Sequence, residues 1–255
     1  MNTQIFALDH KGRKSCAFCR KEFTFPDLEW DGKDILFNPE SLWLDSVCSR
    51  NCLLDAGKKR RREEFESRVE FYMAGGGVLN NYIHCSFDTF VPETPCQRRA
   101  IAFLTSGMPF QKKSSIMLFG PCGTGKTHLA VAAMRKYMLD LLTSSAAFVS
   151  GPQLIAEIRK ATLSEEEMSS ESVIQRYTTN KLLVIDDIGV EKASDFVLQS
   201  WYRIIDTRYS NSCPTIYTSN MDKAEIETRM NSRIASRLFA GTSIPLDGSD
   251  KRGSY

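Results

Sequence analysis

Lys126 and Thr127 close the run Gly120-Pro121-Cys122-Gly123-Thr124-Gly125-Lys126-Thr127, followed at once by His128. Its glycines permit a tight turn that aims successive backbone N–H groups at an anion, and a helix starting there adds its positive dipole end. The full Gly-x-x-x-x-Gly-Lys-Thr spacing predicts a site for a nucleoside triphosphate, with residues 120 to 128 around the phosphates. Lys126 is expected to reach the β- and γ-phosphates, and Thr127 to ligate Mg²⁺. A second chemical element follows at Asp186-Asp187, behind the apolar run Leu182 to Ile185. Asp186 suits the Mg²⁺ shell, and Asp187 is placed to orient and deprotonate an attacking water. A third apolar segment, from Thr215, ends in Asn220, a side chain able to hydrogen-bond at the same edge.

Elements must hold these groups together. The run Ile116 to Phe119 before the loop predicts a buried strand, and His128 to Leu142 after it predicts a helix. Strands that are apolar throughout and end in carboxylates fit a parallel α/β sheet, which delivers functional groups at its carboxyl edge. With 255 residues and 42% hydrophobic content, the chain can build one sizeable core and a small extra module. A formal charge of +2 excludes a polycation, so any nucleic-acid contact must come from local clusters. Polar and charged residues occupy the first segment, and no apolar run has membrane-spanning length, which predicts a cytoplasmic protein without membrane contact.

Four of the eight cysteines have metal-ligand spacing: Cys16-Ala-Phe-Cys19 and Cys48-Ser-Arg-Asn-Cys52. Two such pairs can close one tetrahedral Zn²⁺ site, a clamp that benefits a segment too small to bury much apolar surface. The other reading is four reduced thiols packed as small apolar side chains. His84 with Cys85 offers an alternative ligand pair. The pattern resembles a treble-clef zinc module of the MYM/TRASH kind, with Phe18, Phe23, Phe25, Trp30 and Trp43 around the metal. Lys58 to Arg62, followed by Glu63 and Glu64, reads either as a solvated helix face or as DNA-phosphate contacts. Gly75 to Gly77 is expected to break the helix as a linker. The domains are therefore expected at 1–57 (zinc and partner binding), 58–80 (basic helix and linker) and 81–255 (ATPase).

From about Phe87 onward, the motifs and their order resemble the DnaC/IstB-like helicase-loader branch of the AAA+ ATPases. The phosphate loop matches that family's Walker A element, Asp186-Asp187-Ile-Gly its Walker B element, and Thr218-Ser-Asn220 its first sensor. Arg233-Ile-Ala-Ser-Arg237-Leu-Phe resembles its arginine-finger segment. The resemblance implies that Arg237, with Arg233 beside it, acts on the nucleotide of a neighbouring subunit. It also implies an AAA+ core, a parallel sheet between helices, lacking the usual helical lid. Asp187 stands where most of the superfamily has Glu. The implied activity is Mg²⁺-dependent ATP hydrolysis in an ATP-bridged oligomer that loads a hexameric replicative helicase onto single-stranded DNA. The alternative is an IstB-like transposition helper that activates a transposase. Phe87 and Phe90 are candidates for the adenine, and Arg159, Lys160 and Arg176 for DNA phosphates.

Overall fold

The computed structural model describes residues 58–106, 115–163 and 169–251, and the backbone of three short strands near the N-terminus. Two compact units divide the chain, Met1–Phe65 and Glu66–Tyr255.

In the first unit, β1 (Phe6–Leu8), β2 (Lys14–Cys16) and β3 (Glu22–Phe23) form an antiparallel sheet in that order. Cys16 is the last residue of β2 and pairs with Phe6 across the ladder. The side chains of Cys16 and Phe23, and Cys19, Cys48 and Cys52 entirely, lie outside the described residues, as do Phe18, Phe25, Trp30 and Trp43. Residues 58–66 are helical. There the basic run is exposed and partly paired along its own helix, Lys59 with Glu63 at 3.8 Å and Arg60 with Glu64 at 2.9 Å.

The second unit is a five-stranded parallel sheet between helices. Its elements are α1 (Val69–Gly75), α2 (Pro95–Thr105), β4 (Ile116–Phe119), α3 (Lys126–Leu141), β5 (Ala146–Ser150), α4 (Gly151–Leu163), α5 (Ser170–Thr179), β6 (Leu182–Asp186), α6 (Asp195–Ser210), β7 (Thr215–Ser219), α7 (Lys223–Arg229), α8 (Ser232–Leu238) and β8 (Thr242–Pro245). Strand order is β5-β6-β7-β4-β8, so β7 separates the strand that feeds the phosphate loop from the strand that ends in Asp186. Every adjacent pair is parallel, which requires a crossover between strands and places helices on both faces.

Alternation along the strands divides the core. Met117, Val149, Leu183, Ile185 and Tyr217 join one cluster with Leu154, Ile158, Val173, Trp201, Ile204 and Leu238 from α4, α5, α6 and α8. The intervening residues Ile116, Leu118, Val184 and Ile216, all fully buried, face the other way. There α3 packs on β4 to β7, with α1 and α2 against its outer side. That double contact explains why α3 is apolar over most of its circumference, from Leu129 to Met138.

The glycine triplet, expected as a linker, is built into this unit. Phe148 N donates to Gly76 O at 2.6 Å, and Val69, Met73 and Val78 on either side are buried. Arg229, Arg233 and Arg237 do not share one helix: α7 ends at Arg229, and the Asn231 side chain accepts from Ile234 N to start α8. A side-chain oxygen at that position satisfies an amide that a new helix leaves unpaired, so the chain restarts instead of running through.

Among the described residues, no helix is long and apolar enough to cross a membrane.

Candidate functional site

β4 leads straight into the loop 120–125, and two of its glycines admit no side chain. At Gly120 (φ 137°) a Cβ would lie 2.0 Å from Leu246 O, and at Gly125 (φ 90°) it would lie 2.3 Å from the Phe90 ring. The loop is thereby pressed between the exit of β8 and the segment before α2. Gly125 is also the N-cap of α3, so the unpaired amides of that helix open toward the loop. Lys126 is buried and folds back, its Nζ donating to Gly120 O at 2.8 Å and Pro121 O at 2.6 Å. Thr124 is buried and donates to Pro121 O at 3.0 Å, whereas Cys122 is exposed.

Asp186 ends β6 beside the loop. Thr127 Oγ1 lies 2.9 and 3.1 Å from its two carboxylate oxygens, and Thr218 Oγ1 donates to Oδ1 at 2.6 Å. Burial pushes this carboxyl up to about 6; the charge of Asp187 works the same way, against the Thr218 and Thr127 hydroxyls and Lys126. The Thr218 hydroxyl donates to Asp186 and accepts from Asp187 N at 2.8 Å, using both its roles at once. Ile188 N donates to Thr218 O at 2.9 Å. Between these two bonds Asp187 is held in the left-handed region at φ 53°, a conformation that costs a non-glycine residue and persists where neighbours impose it. The turn is fixed from below by Glu191, whose buried carboxylate accepts from Gly189 N at 3.1 Å. Burial raises the Glu191 pKa above its ordinary value.

A cavity of about 360 Å³ opens over these groups. Gly123, Gly125, Lys126, Thr127, Asp187 and Asn220 line it together with Asn81, Tyr82, His84, Cys85, Thr89, Phe90, His128 and Lys251. The first group offers backbone amides and a lysine for phosphates, and the second offers aromatic surface for a base. His128 Nε2 donates to Ser86 O at 2.9 Å and lies 3.1 Å from Thr89 Oγ1, and burial holds its pKa below the ordinary value. Phe90 packs edge-on against it with ring centroids 5.2 Å apart. Cys85, in the same wall, has its thiol pushed up to about 11 by burial.

Several contributors were not legible in the sequence. Lys251 N donates to Gly123 O at 3.1 Å, while its ammonium lies 4.8 Å from the Phe90 centroid and 3.3 Å from Glu93 Oε1. Buried Gln97 closes the capping box of α2 with Thr94 and donates to Thr124 O at 3.3 Å and Asp247 O at 2.9 Å, tying helix, loop and tail together. Of the two phenylalanines expected near a base, Phe90 lines the cavity and Phe87 is not among its lining residues. His84 and Cys85 join the cavity wall, and His84 Nδ1 pairs with Glu70 at 3.1 Å. Among the described residues, no group of three or more His, Cys, Asp or Glu forms a metal cluster.

The expected arginines lie elsewhere. Arg237 and Arg233 are not among the residues lining the cavity: Arg233 is exposed on α8, and Arg237 ion-pairs with Asp206 of α6. Arg176 pairs with Glu157 at 2.5 Å, and the Arg159 guanidinium sits 5.7 Å from the Phe196 ring.

A replicative helicase loader DnaC from Buchnera aphidicola subsp. Acyrthosiphon pisum is 26% identical over 185 residues, spanning 72% of this chain and 74% of its own length. The putative ATP-binding protein of insertion sequence IS232, from Bacillus thuringiensis subsp. berliner, is 32% identical over 116 residues, 44% of this chain and 42% of its own. A crystal structure of the DnaC helicase loader shares the fold at TM-score 0.58 and 23% identity, over 66% of this chain and all of that one. The family model of the IstB-like ATP binding proteins matches residues 80–236, more than half of the sequence and nearly all of the site just described, and the chain belongs to that family.

Proposed function

We propose that this protein is an ATPase that loads a hexameric replicative helicase onto single-stranded DNA. The observation that carries the reading is the assembled Thr127–Asp186–Thr218–Asp187 cluster, facing Lys126 and Asn220 at the edge of one cavity. A protein that only held nucleotide would need the loop and the Mg²⁺ donors Thr127 and Asp186, but not Asp187 as a base. The similarity to replicative helicase loaders over 72% of the chain supplies the partner class.

The loop amides and Lys126 bind the phosphates, Lys126 exchanging its contacts with Gly120 O and Pro121 O for the β- and γ-oxygens. Thr127 and Asp186 present hard oxygen donors within 3.1 Å of each other, a donor set that suits Mg²⁺. Their fit to a cation is also electrostatic, because a buried carboxylate raised to about 6 gains from a positive neighbour. Bound Mg²⁺ would neutralise charge on the β- and γ-phosphates. Asp187, aimed into the cavity by its fixed backbone, orients the attacking water and takes up its proton, and Asn220 hydrogen-bonds the same region. Arg237 completes the site of a neighbouring subunit, with Arg233 beside it, so hydrolysis follows assembly. In this reading Cys16, Cys19, Cys48 and Cys52 hold Zn²⁺ in a module that grips the helicase.

The test is affinity capture from cells of the source organism, with tagged Asp187→Asn protein and ATP and mass spectrometry of what co-purifies. A hexameric helicase, lost when Cys16 and Cys19 are replaced, is the expected result. The IS232 relative favours one second reading, a transposition helper, and recovery of a transposase without a helicase would establish that instead.

A further inference from the structure

Arg237 sits in the last turn of α8, half-buried, with 27% of its side chain exposed. Three side chains of α6 surround it. Its Nε donates to Asp206 Oδ1, its Nη2 lies 3.4 Å from Tyr202 OH, and its guanidinium stands 5.1 Å from the Tyr202 ring and 5.9 Å from the Tyr209 ring. Tyr202, Asp206 and Tyr209 are spaced i, i+4, i+7, one stripe along the helix. Trp201, Ile204, Ile205 and Arg208, on the faces between, are buried in the core. The helix carrying the stripe is therefore anchored in the core, and the guanidinium is held by a carboxylate on one edge and by aromatic rings. Among the described residues, only Nε and Nη2 are engaged, so both N–H groups of Nη1 keep their capacity for an acceptor.

We propose that Asp206 and Tyr202 are positioning residues for Arg237, holding its guanidinium with Nη1 presented to the nucleotide of the adjoining subunit. The proposal rests on the reading of Arg237 as a residue that acts in trans. Arginine on a free stem samples many rotamers, whereas this one is ordered within its own subunit before a neighbour docks. A carboxylate on the Nε edge fixes the plane of the fork without occupying the Nη1 donors. None of the α6 residues in the cage lines the cavity of its own subunit, as a device that serves the adjoining site requires.

Mixed assembly tests this. Lys126→Ala subunits keep Arg237 but bind no ATP, and Arg237→Ala subunits bind ATP but lack the arginine, so each alone is inactive and the mixture regains turnover. Asp206→Asn or Tyr202→Phe is then placed in one partner at a time. In the Lys126→Ala partner, Asp206→Asn should lower the regained kcat about ten- to hundred-fold, with KM for ATP and co-assembly unchanged, because a misplaced reacting group costs that order. Tyr202→Phe should give a smaller loss, and Asp206→Glu should recover part of the rate. In the Arg237→Ala partner, the same substitutions should change turnover less than about twofold. Equal losses in both placements would reduce Asp206 to a structural residue, and unchanged or increased turnover in the first placement would overturn the proposal. A mixture that regains nothing would remove the trans role of Arg237, and the proposal with it.

Discussion

Thr218 is where the chemistry of this site is held in register. One hydroxyl fixes the carboxylate of Asp186 and the backbone of Asp187, so replacing it with the isosteric Val removes a hydrogen bond from each and leaves Asp186 with Thr127 alone. Thr218→Val is expected to lower kcat for ATP roughly ten- to hundred-fold with a small change in KM, as loss of a group that orients a site residue does; an unchanged kcat would show that Asp187 is positioned by other contacts. Cys85 gives a second residue-scale test. With its thiol pushed up to about 11 by burial, less than about one part in a hundred is thiolate at pH 8, and the reactive fraction grows about tenfold per pH unit below the pKa. Peptide mapping after alkylation should show Cys85 far slower than exposed Cys122 at pH 8, with its rate climbing up to pH 10 and falling when ATP fills the cavity. Lys126, Thr127, Asp186 and Asp187 were legible because each motif is contiguous and its spacing is set by phosphate geometry. The hydroxyl of Thr218 was not, because its role depends on which strand lies beside β6.

At the scale of elements, the buried charge of Arg208 ties α6 to the end of α5. Its guanidinium donates to the carbonyls of Tyr177 (2.9 Å), Thr178 (3.2 Å), Asn180 (3.0 Å) and Pro214 (2.6 Å) and to Thr215 Oγ1 at 2.8 Å. Among the described residues, no carboxylate pairs with it; the carbonyl ends of α5 and of the β7 approach balance the charge instead. Arg208→Met should therefore destabilise the second unit by about 3–5 kcal/mol, since several buried carbonyls lose their donor together. Thermal unfolding measures this, and a loss below about 1 kcal/mol would show that water replaces the guanidinium. Strands β4, β6 and β7 and helix α3 were readable from apolar runs and motif flanks. Their order was not, because β7 enters between β4 and β6 through pairing across a long stretch of chain. The break between α7 and α8 was hidden for a different reason: arginines four residues apart mimic one helix, and only the Asn231 cap reveals two.

For the whole molecule, the sequence supports a core that turns over ATP and an N-terminal unit whose four cysteines have zinc spacing. The fold of the core follows from the alternation of buried strands and helices, while the partner follows from kinship with helicase loaders and not from any single residue. In the proposed function, ATP-bound protein places the replicative helicase on DNA. The direct measurement is unwinding of a labelled oligonucleotide from circular single-stranded DNA by the helicase of the source organism, with this protein and ATP added or withheld. Unwinding should require this protein and fail with Lys126→Ala. Unwinding that is equal without the protein, or undiminished with Lys126→Ala, would contradict that function.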